Sequence, residues 1–157
     1  MNRHATRGLI VQTLYHMEVG ISEKEDAVFN MEAFVDHLKE KALNTSEISL
    51  SEAVIEDAFT MDDYYFTVID GIMANLEAID QLIVDHIEGW SINRLNKVDK
   101  AILRLAVYEM MTGAADVKII INEAVELTKN FTDVGDKKSP SFNNKLLDKI
   151  SQKLKKE

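Results

Sequence analysis

The segment at residues 95–111 constrains the fold of this chain most strongly, because apolar side chains cover nearly the whole circumference of the helix that it would form. A helix that is apolar on every side is normally surrounded by other elements. The chain has only one proline and six glycines, which is typical of helical proteins. We therefore predict an all-α protein built around this helix, with Gly113 at its end.

Apolar residues recur at helical spacing along most of the chain and predict seven or eight helices in a compact bundle. Residues 117–121 are rich in β-branched side chains, but the helical pattern after Asn122 favours a helix entry over a strand. Ser139 is predicted to cap the last helix, with Pro140 at its first position. The predicted helices cover approximately residues 3–19, 27–43, 51–59, 64–76, 79–87, 95–111, 121–131 and 140–154.

The length of 157 residues is that of a single domain. The absence of cysteine excludes disulfides, thiolate metal sites and cysteine nucleophiles, and it fits a reducing setting. No apolar run reaches the about 18 residues of a membrane span, and the first residues do not resemble a signal peptide. The sequence predicts a soluble cytoplasmic protein.

Charge is distributed unevenly along the chain, whose net charge is −9. Residues 1–17 carry two basic and no acidic side chains, residues 18–89 carry three basic and 18 acidic ones, and residues 90–157 carry 13 basic and nine acidic ones. Phosphate binding depends on lysine and arginine, so the total argues against general nucleic-acid binding. A local cationic surface would form if the two ends of the chain meet in the fold.

Groups that carry catalysis or bind metals are scarce in the sequence. Neither a glycine-rich phosphate loop nor a serine-nucleophile elbow occurs. His37 and Glu40 lie in an acidic stretch, where a solvated face explains them better than a metal site. Asp62 and Asp63 precede a predicted helix and are interpreted as capping residues. We therefore predict no enzymatic activity, no cofactor and no metal.

Basic residues mark both ends of the chain. Arg3 and Arg7 share one face of the first predicted helix, so both guanidiniums would project toward phosphates or bases. Near the C-terminus, lysines flank Phe142, and single-stranded RNA recognition uses this combination of stacking and phosphate contact. A solvated terminus and a core phenylalanine are the simpler alternatives, and the spacing alone leaves them open.

Three stretches together resemble the family of the bacterial transcription antitermination factor NusB. Their order and spacing agree with the family, and the middle stretch is the most specific. The stretches are RHATR leading into VQTLY at residues 3–15, VDKAILRLAVYE at 98–109 followed by INEAVELTK at 121–129, and SFNNKLLDKI at 141–150.

The resemblance implies an all-α fold of about seven helices in two subdomains, over about residues 1–60 and about residues 61–157. Family members pair with NusE, a ribosomal protein of the small subunit, and the heterodimer binds the boxA element of nascent RNA in ribosomal operons. The resemblance thus implies a protein that helps the transcription elongation complex resist termination. Some relatives self-associate, so a homodimer is also an expectation.

The resemblance assigns site residues by their position in the matching motifs. Tyr15 and Asp99 match positions that face NusE. Lys145 stands where the family usually has glycine, and it either adds a phosphate contact or accompanies a different local backbone. The residues that match RNA contacts are Arg3, His4, Arg7, Ser141, Phe142, Asn144 and Lys145.

Two other functions remain open at this point. The acidic residues 18–89 suggest a helical adaptor that binds proteins and no RNA. An enzyme fragment ranks last: related helical domains precede RNA methyltransferase domains, but no catalytic half is apparent in this sequence.

Overall fold

The computed structural model describes residues 2–20, 23–45, 61–87, 91–132 and 138–156. Within these ranges the chain forms seven α-helices, one 3-10 turn and no strand, which confirms the all-α prediction. The predicted helix at 51–59 lies outside the described residues. The elements are α1 (Arg3–Gly20), α2 (Lys24–Thr45), α3 (Asp63–Ala74), α4 (Leu76–Asp85), the 3-10 turn (Ile92–Arg94), α5 (Lys97–Thr112), α6 (Val117–Thr132) and α7 (Lys138–Lys155).

The break between α3 and α4 confirms the prediction of two helices in this region, although it lies at Asn75, slightly earlier than expected. The side-chain Nδ2 of Asn75 donates to the carbonyl of Gly71 at 2.8 Å, and its own backbone N–H is bonded to the same carbonyl at 3.1 Å. An asparagine that hydrogen-bonds to nearby backbone in this way favours a helix boundary over a helix interior.

The β-branched run at residues 117–121 forms the first turns of α6, as predicted. The predicted start of α7 is wrong, because the helix begins at Lys138, and Ser139 lies inside its first turn instead of capping it. Pro140 is the third residue of the helix. Proline is tolerated there because the N–H groups of the first turn have no acceptor within the helix.

The chain divides into two compact units, residues 1–67 and residues 68–157. In the first unit α1 packs against α2. The buried residues of α2 recur every four positions, at Ala27, Met31 and Val35, so one stripe of the helix is buried. Residues outside this stripe are largely exposed, including Phe29 at 70%.

Hydrogen bonds in the first unit also join α1 to the start of α3. Thr13 Oγ1 and Tyr65 Oη lie 2.6 Å apart and are buried. Thr13 gives its one hydrogen to the carbonyl of Leu9 at 2.8 Å, so Tyr65 is the donor in the pair. Asp62 accepts a hydrogen bond from the backbone N–H of Tyr65 at 3.1 Å, which confirms its predicted capping role.

The second unit is built around α5, which packs against α4, α6 and α7. Ile102, Leu103 and Val107 are fully buried, and burial extends around most of the helix, as its sequence predicts. Arg104 donates to both carboxylate oxygens of Asp80, at 2.8 Å each, and this paired bond fixes α5 against α4.

Both ends of α5 are closed by local hydrogen bonds. Asn96 Oδ1 accepts from the backbone N–H of Val98 at 2.8 Å at the start of the helix. Gly113 adopts a left-handed φ of 67° and ends the helix where the sequence predicts. None of the described helices combines the length and apolar character needed to cross a membrane.

Gly71 in α3 lies directly against Tyr108 in α5, so a side chain at this position would overlap the phenol ring. We expect Gly71→Ala to lower the free energy of unfolding by about 1–3 kcal/mol. Gly8→Ala is the matched control, because nothing lies within 4 Å of a methyl group there. Alanine should stabilise α1 at this position by about 0.5–1 kcal/mol. Urea denaturation compares the two variants, and equal stabilities would contradict the close contact between α3 and α5.

Burial raises the pKa of Tyr65 to about 12 from 10.0, although its hydrogen bond with Thr13 opposes the shift. Between these pH values the unfolded chain releases the phenol proton and the folded chain keeps it. Stability that is present below pH 10 is therefore lost as the pH rises toward 12, by up to about 3 kcal/mol. Denaturant unfolding below pH 10 and near pH 12 measures this loss. Tyr65→Phe should lose less over the same range, and an identical loss would contradict the assignment.

Candidate nucleic-acid interface

One side of α7 presents an aromatic ring among polar and cationic side chains. Phe142, Lys145 and Lys149 are spaced at i, i+3 and i+7 and are all exposed, so they share one face. Phe142 is 39% exposed, which argues against the alternative that it belongs to the core. Ser141 and Asn144 are also exposed on α7. These five residues form the α7 face.

Lys145 lies in the regular part of α7. Its side chain is exposed and adds a positive charge to the α7 face. The α7 sequence contains five lysines and one acidic residue, Asp148. This helix therefore carries a local positive charge although the whole chain is acidic, and it can attract phosphate.

The three basic residues of the α1 motif, Arg3, His4 and Arg7, differ in exposure. Arg3 and His4 are exposed at the start of the helix. Arg7 is only 5% exposed, so the expectation that both guanidiniums project into solvent is wrong for this residue. Arg7 lies on the same helical stripe as Ile10 and Leu14, which are buried, and this position decides its placement.

Arg3 lies over the ring of Tyr64, with its guanidinium carbon 3.5 Å from the ring centroid. This is the geometry of a cation–π contact. Tyr64 is the second residue of α3, and no pattern in the sequence pairs it with Arg3. The contact can be recognised only once α1 and the start of α3 lie together.

The two residues predicted to face NusE differ in exposure. Tyr15 is half-buried, and its ring packs edge-on against His16 with the centroids 6.3 Å apart. Asp99 is 6% exposed, and its Oδ1 accepts a hydrogen bond from Asn143 Nδ2 at 3.4 Å. In the chain alone the Asp99 carboxylate therefore lies in the interior of the second unit. A contact between this residue and NusE stays a prediction.

Asn143 is a buried residue of α7 that the sequence reasoning did not select. It is fully buried between two exposed neighbours, Phe142 and Asn144. Besides its bond to Asp99, its Nδ2 donates to Thr128 Oγ1 at 3.1 Å. Asn143 thereby ties α7 to both α5 and α6 and sets the rotation of α7 about its axis. A polar side chain on the apolar stripe of an amphipathic helix was the available signal.

The α1 motif belongs to the first unit and the α7 face belongs to the second. Their union in one RNA surface stays a prediction. In the described part of the chain, no three histidine, aspartate or glutamate side chains are grouped so that they could hold a metal ion.

The fold and the α7 face define a class of all-helical protein with a candidate nucleic-acid-binding surface, which consists of an exposed aromatic ring and nearby lysines. The NusB family model matches residues 4–152. Relatives named transcription antitermination protein NusB are 35% identical over 153 residues in Sulfurimonas denitrificans, with 96% of each chain covered, and 32% identical over 159 residues in Clostridium tetani, with 98% and 100% covered. The chain belongs to the NusB family. This confirms the predicted family, and the chain is accordingly not an enzyme.

Solved structures share this fold. NusB from T. maritima aligns with a TM-score of 0.70 and 27% identity, covering 97% of this chain and 92% of that one. A chain in the crystal structure of the antitermination factors NusB and NusE in complex with double-stranded RNA aligns with a TM-score of 0.69 and 22% identity, covering 96% of each. These likenesses confirm the predicted helical fold.

Asn143→Asp should destabilise the chain at neutral pH by about 3 kcal/mol or more, because it places a second carboxylate against buried Asp99 and removes a donor. Asn144→Asp adds the same charge next in sequence on an exposed position, and it should change stability by no more than about 0.5 kcal/mol. Urea denaturation compares the two. A similar small effect of both substitutions would mean that the Asn143 hydrogen bonds do not hold α7.

Proposed function

We propose that this chain acts in transcription antitermination by binding boxA-type single-stranded RNA as a heterodimer with the ribosomal protein NusE. The α7 face is the observation that carries the proposal, because it combines an exposed aromatic ring with lysines on a helix fixed by buried hydrogen bonds. The name of its relatives supports a role in antitermination, and the solved complex of NusB and NusE with double-stranded RNA supports binding of NusE and RNA.

The side chains of the α7 face suit the parts of a single RNA strand. The ring of Phe142 can stack on a base, and Lys145 and Lys149 can contact the phosphates on either side. Ser141 and Asn144 supply hydrogen-bonding groups for base edges or for the 2′-hydroxyl. The positions of these side chains on one helix give them fixed spacing, which favours binding without reorganisation.

We assign the α1 motif to the same RNA surface. Arg3 and His4 are exposed and would contact RNA directly. Arg7 is also assigned to this surface. Because it is only 5% exposed, its main role would be to hold α1 in place under Arg3 and His4. Both ends of the chain would then contribute to a small cationic surface on a protein of net charge −9.

The proposed partner surface includes Tyr15, whose half-buried phenol offers an apolar ring and a polar tip to another protein. Asp99 would act from the interior, by holding Asn143 and hence α7 in place. Paired with NusE in the cytoplasm, the chain would join the transcription elongation complex on nascent RNA. Homodimerisation would serve as a competing state of the free chain.

Titration of labelled boxA-type RNA with the chain, alone and with NusE, tests the function. We expect NusE to strengthen binding and the affinity to fall with salt. Light scattering of the same samples gives the oligomeric state. Absence of RNA binding in both titrations would reject the proposal, and NusE binding without RNA binding would instead support the helical adaptor.

Phe142→Leu tests the stacking contact. We expect a loss of about 1–3 kcal/mol in RNA binding, the contribution of one stacked base. Phe131→Leu is the matched control, because this phenylalanine of α6 is also 39% exposed and lies outside the α7 face. RNA affinity measured at one salt concentration compares the variants, and equal losses would show that the effect is not specific to the face.

A further inference from the structure

The stacking of Arg3 on Tyr64 concerns the first residue of α1, where helices usually fray. An arginine side chain has about 2 kcal/mol of rotamer entropy to lose when it is held in one position. It is nevertheless in contact with an aromatic ring, so the start of α1 presents an ordered cation.

Arg3 and Tyr64 lie in the first turns of α1 and α3. Both of these turns are capped, and a hydrogen bond joins them. Asn2 Oδ1 accepts from the backbone N–H of Ala5 at 2.8 Å and caps α1, as Asp62 caps α3. Thr6 Oγ1 lies 3.4 Å from Asp62 Oδ2, so the two caps are linked through one residue. Tyr64 lies in the capped first turn of α3, directly before buried Tyr65, so the backbone that carries its ring is held in place.

The position of Arg3 is not explained by helix stability. A cation in the first turn of a helix is opposed by the helix dipole, and the first turn of α1 has no acidic residue to compensate. Within the described residues Arg3 forms no ion pair. Contact with an aromatic ring orients a guanidinium without neutralising it, so its charge remains available to an anion.

We propose that Tyr64 is a positioning residue of the RNA surface, which holds one face of the Arg3 guanidinium so that its N–H edge meets an RNA phosphate. The opposite face of the guanidinium is then left for a base. The inference rests on the proposed function, and it adds a residue of α3 to the RNA contacts proposed for the start of α1.

Tyr64→Leu should weaken binding of boxA-type RNA by about 2- to 5-fold, which corresponds to the about 0.5–1 kcal/mol of an exposed cation–π contact. It should also reduce the slope of log affinity against log salt concentration, by at most the one phosphate contact that Arg3→Ala removes. Tyr64→Phe keeps the ring and should keep both values. Phe66→Leu is the matched control, since it removes a partly exposed ring of the same helix that packs on Tyr65 and not on Arg3.

The decisive comparison repeats Tyr64→Leu in the Arg3→Ala background, where it should have no further effect on RNA affinity or salt slope. A similar loss in both backgrounds would mean that Tyr64 contacts RNA itself and would overturn the positioning role. Normal binding by Tyr64→Leu, with Arg3→Ala impaired, would also overturn it while leaving the proposed function intact. No RNA binding by the unaltered chain, with or without NusE, would reject both.

A readout without RNA checks the contact directly. In the unaltered chain the side-chain protons of Arg3 should show an upfield ring-current shift in the NMR spectrum, which Tyr64→Phe retains and Tyr64→Leu removes. Thermal melting of each variant confirms that binding is compared among folded proteins. Unshifted Arg3 protons in the unaltered chain would overturn the inference.

Discussion

Burial of α5 on most of its circumference is the constraint on which the second unit depends. A helix of this kind has to be covered by neighbours, and α4, α6 and α7 cover it. Because α7 turns its buried stripe, with Asn143, Leu147 and Ile150, to the interior, its remaining residues must face outward. The exposure of Phe142 and Lys145 is therefore a consequence of how the core is packed. No additional loop or helix is needed to present these two side chains.

Much of this arrangement follows from the sequence. Helical periodicity predicts the helices, the apolar segment at 95–111 predicts the central one, and three short stretches identify the family. The burial of Arg7 and the role of Asn143 were missed, because both are polar residues on stripes that the packing buries. A polar residue is predicted to be exposed only when it does not lie on the face of the helix that packing buries. Tyr64 could not be found either, since its contact with Arg3 joins helices that are distant in sequence.

The charge distribution adds selectivity to the proposed surface. The net charge of −9 opposes phosphate binding in general, whereas the lysines of α7 and the exposed Arg3 of α1 attract phosphate locally. Non-specific binding to RNA, which depends on many weak phosphate contacts, is thereby disfavoured. In the proposed function, contacts to bases and to a protein partner would supply the affinity that phosphate contacts alone do not.

Buried Asn143 alternates with exposed Phe142 and Asn144, so one short segment contains both packing residues and surface residues. Substitutions at the outward positions leave the packing of α7 intact, because the inward residues hold the helix against α5 and α6. The proposed RNA surface can therefore accept single substitutions without compensating changes in the core. The same helix thus packs against the core on one side and presents a candidate binding surface on the other.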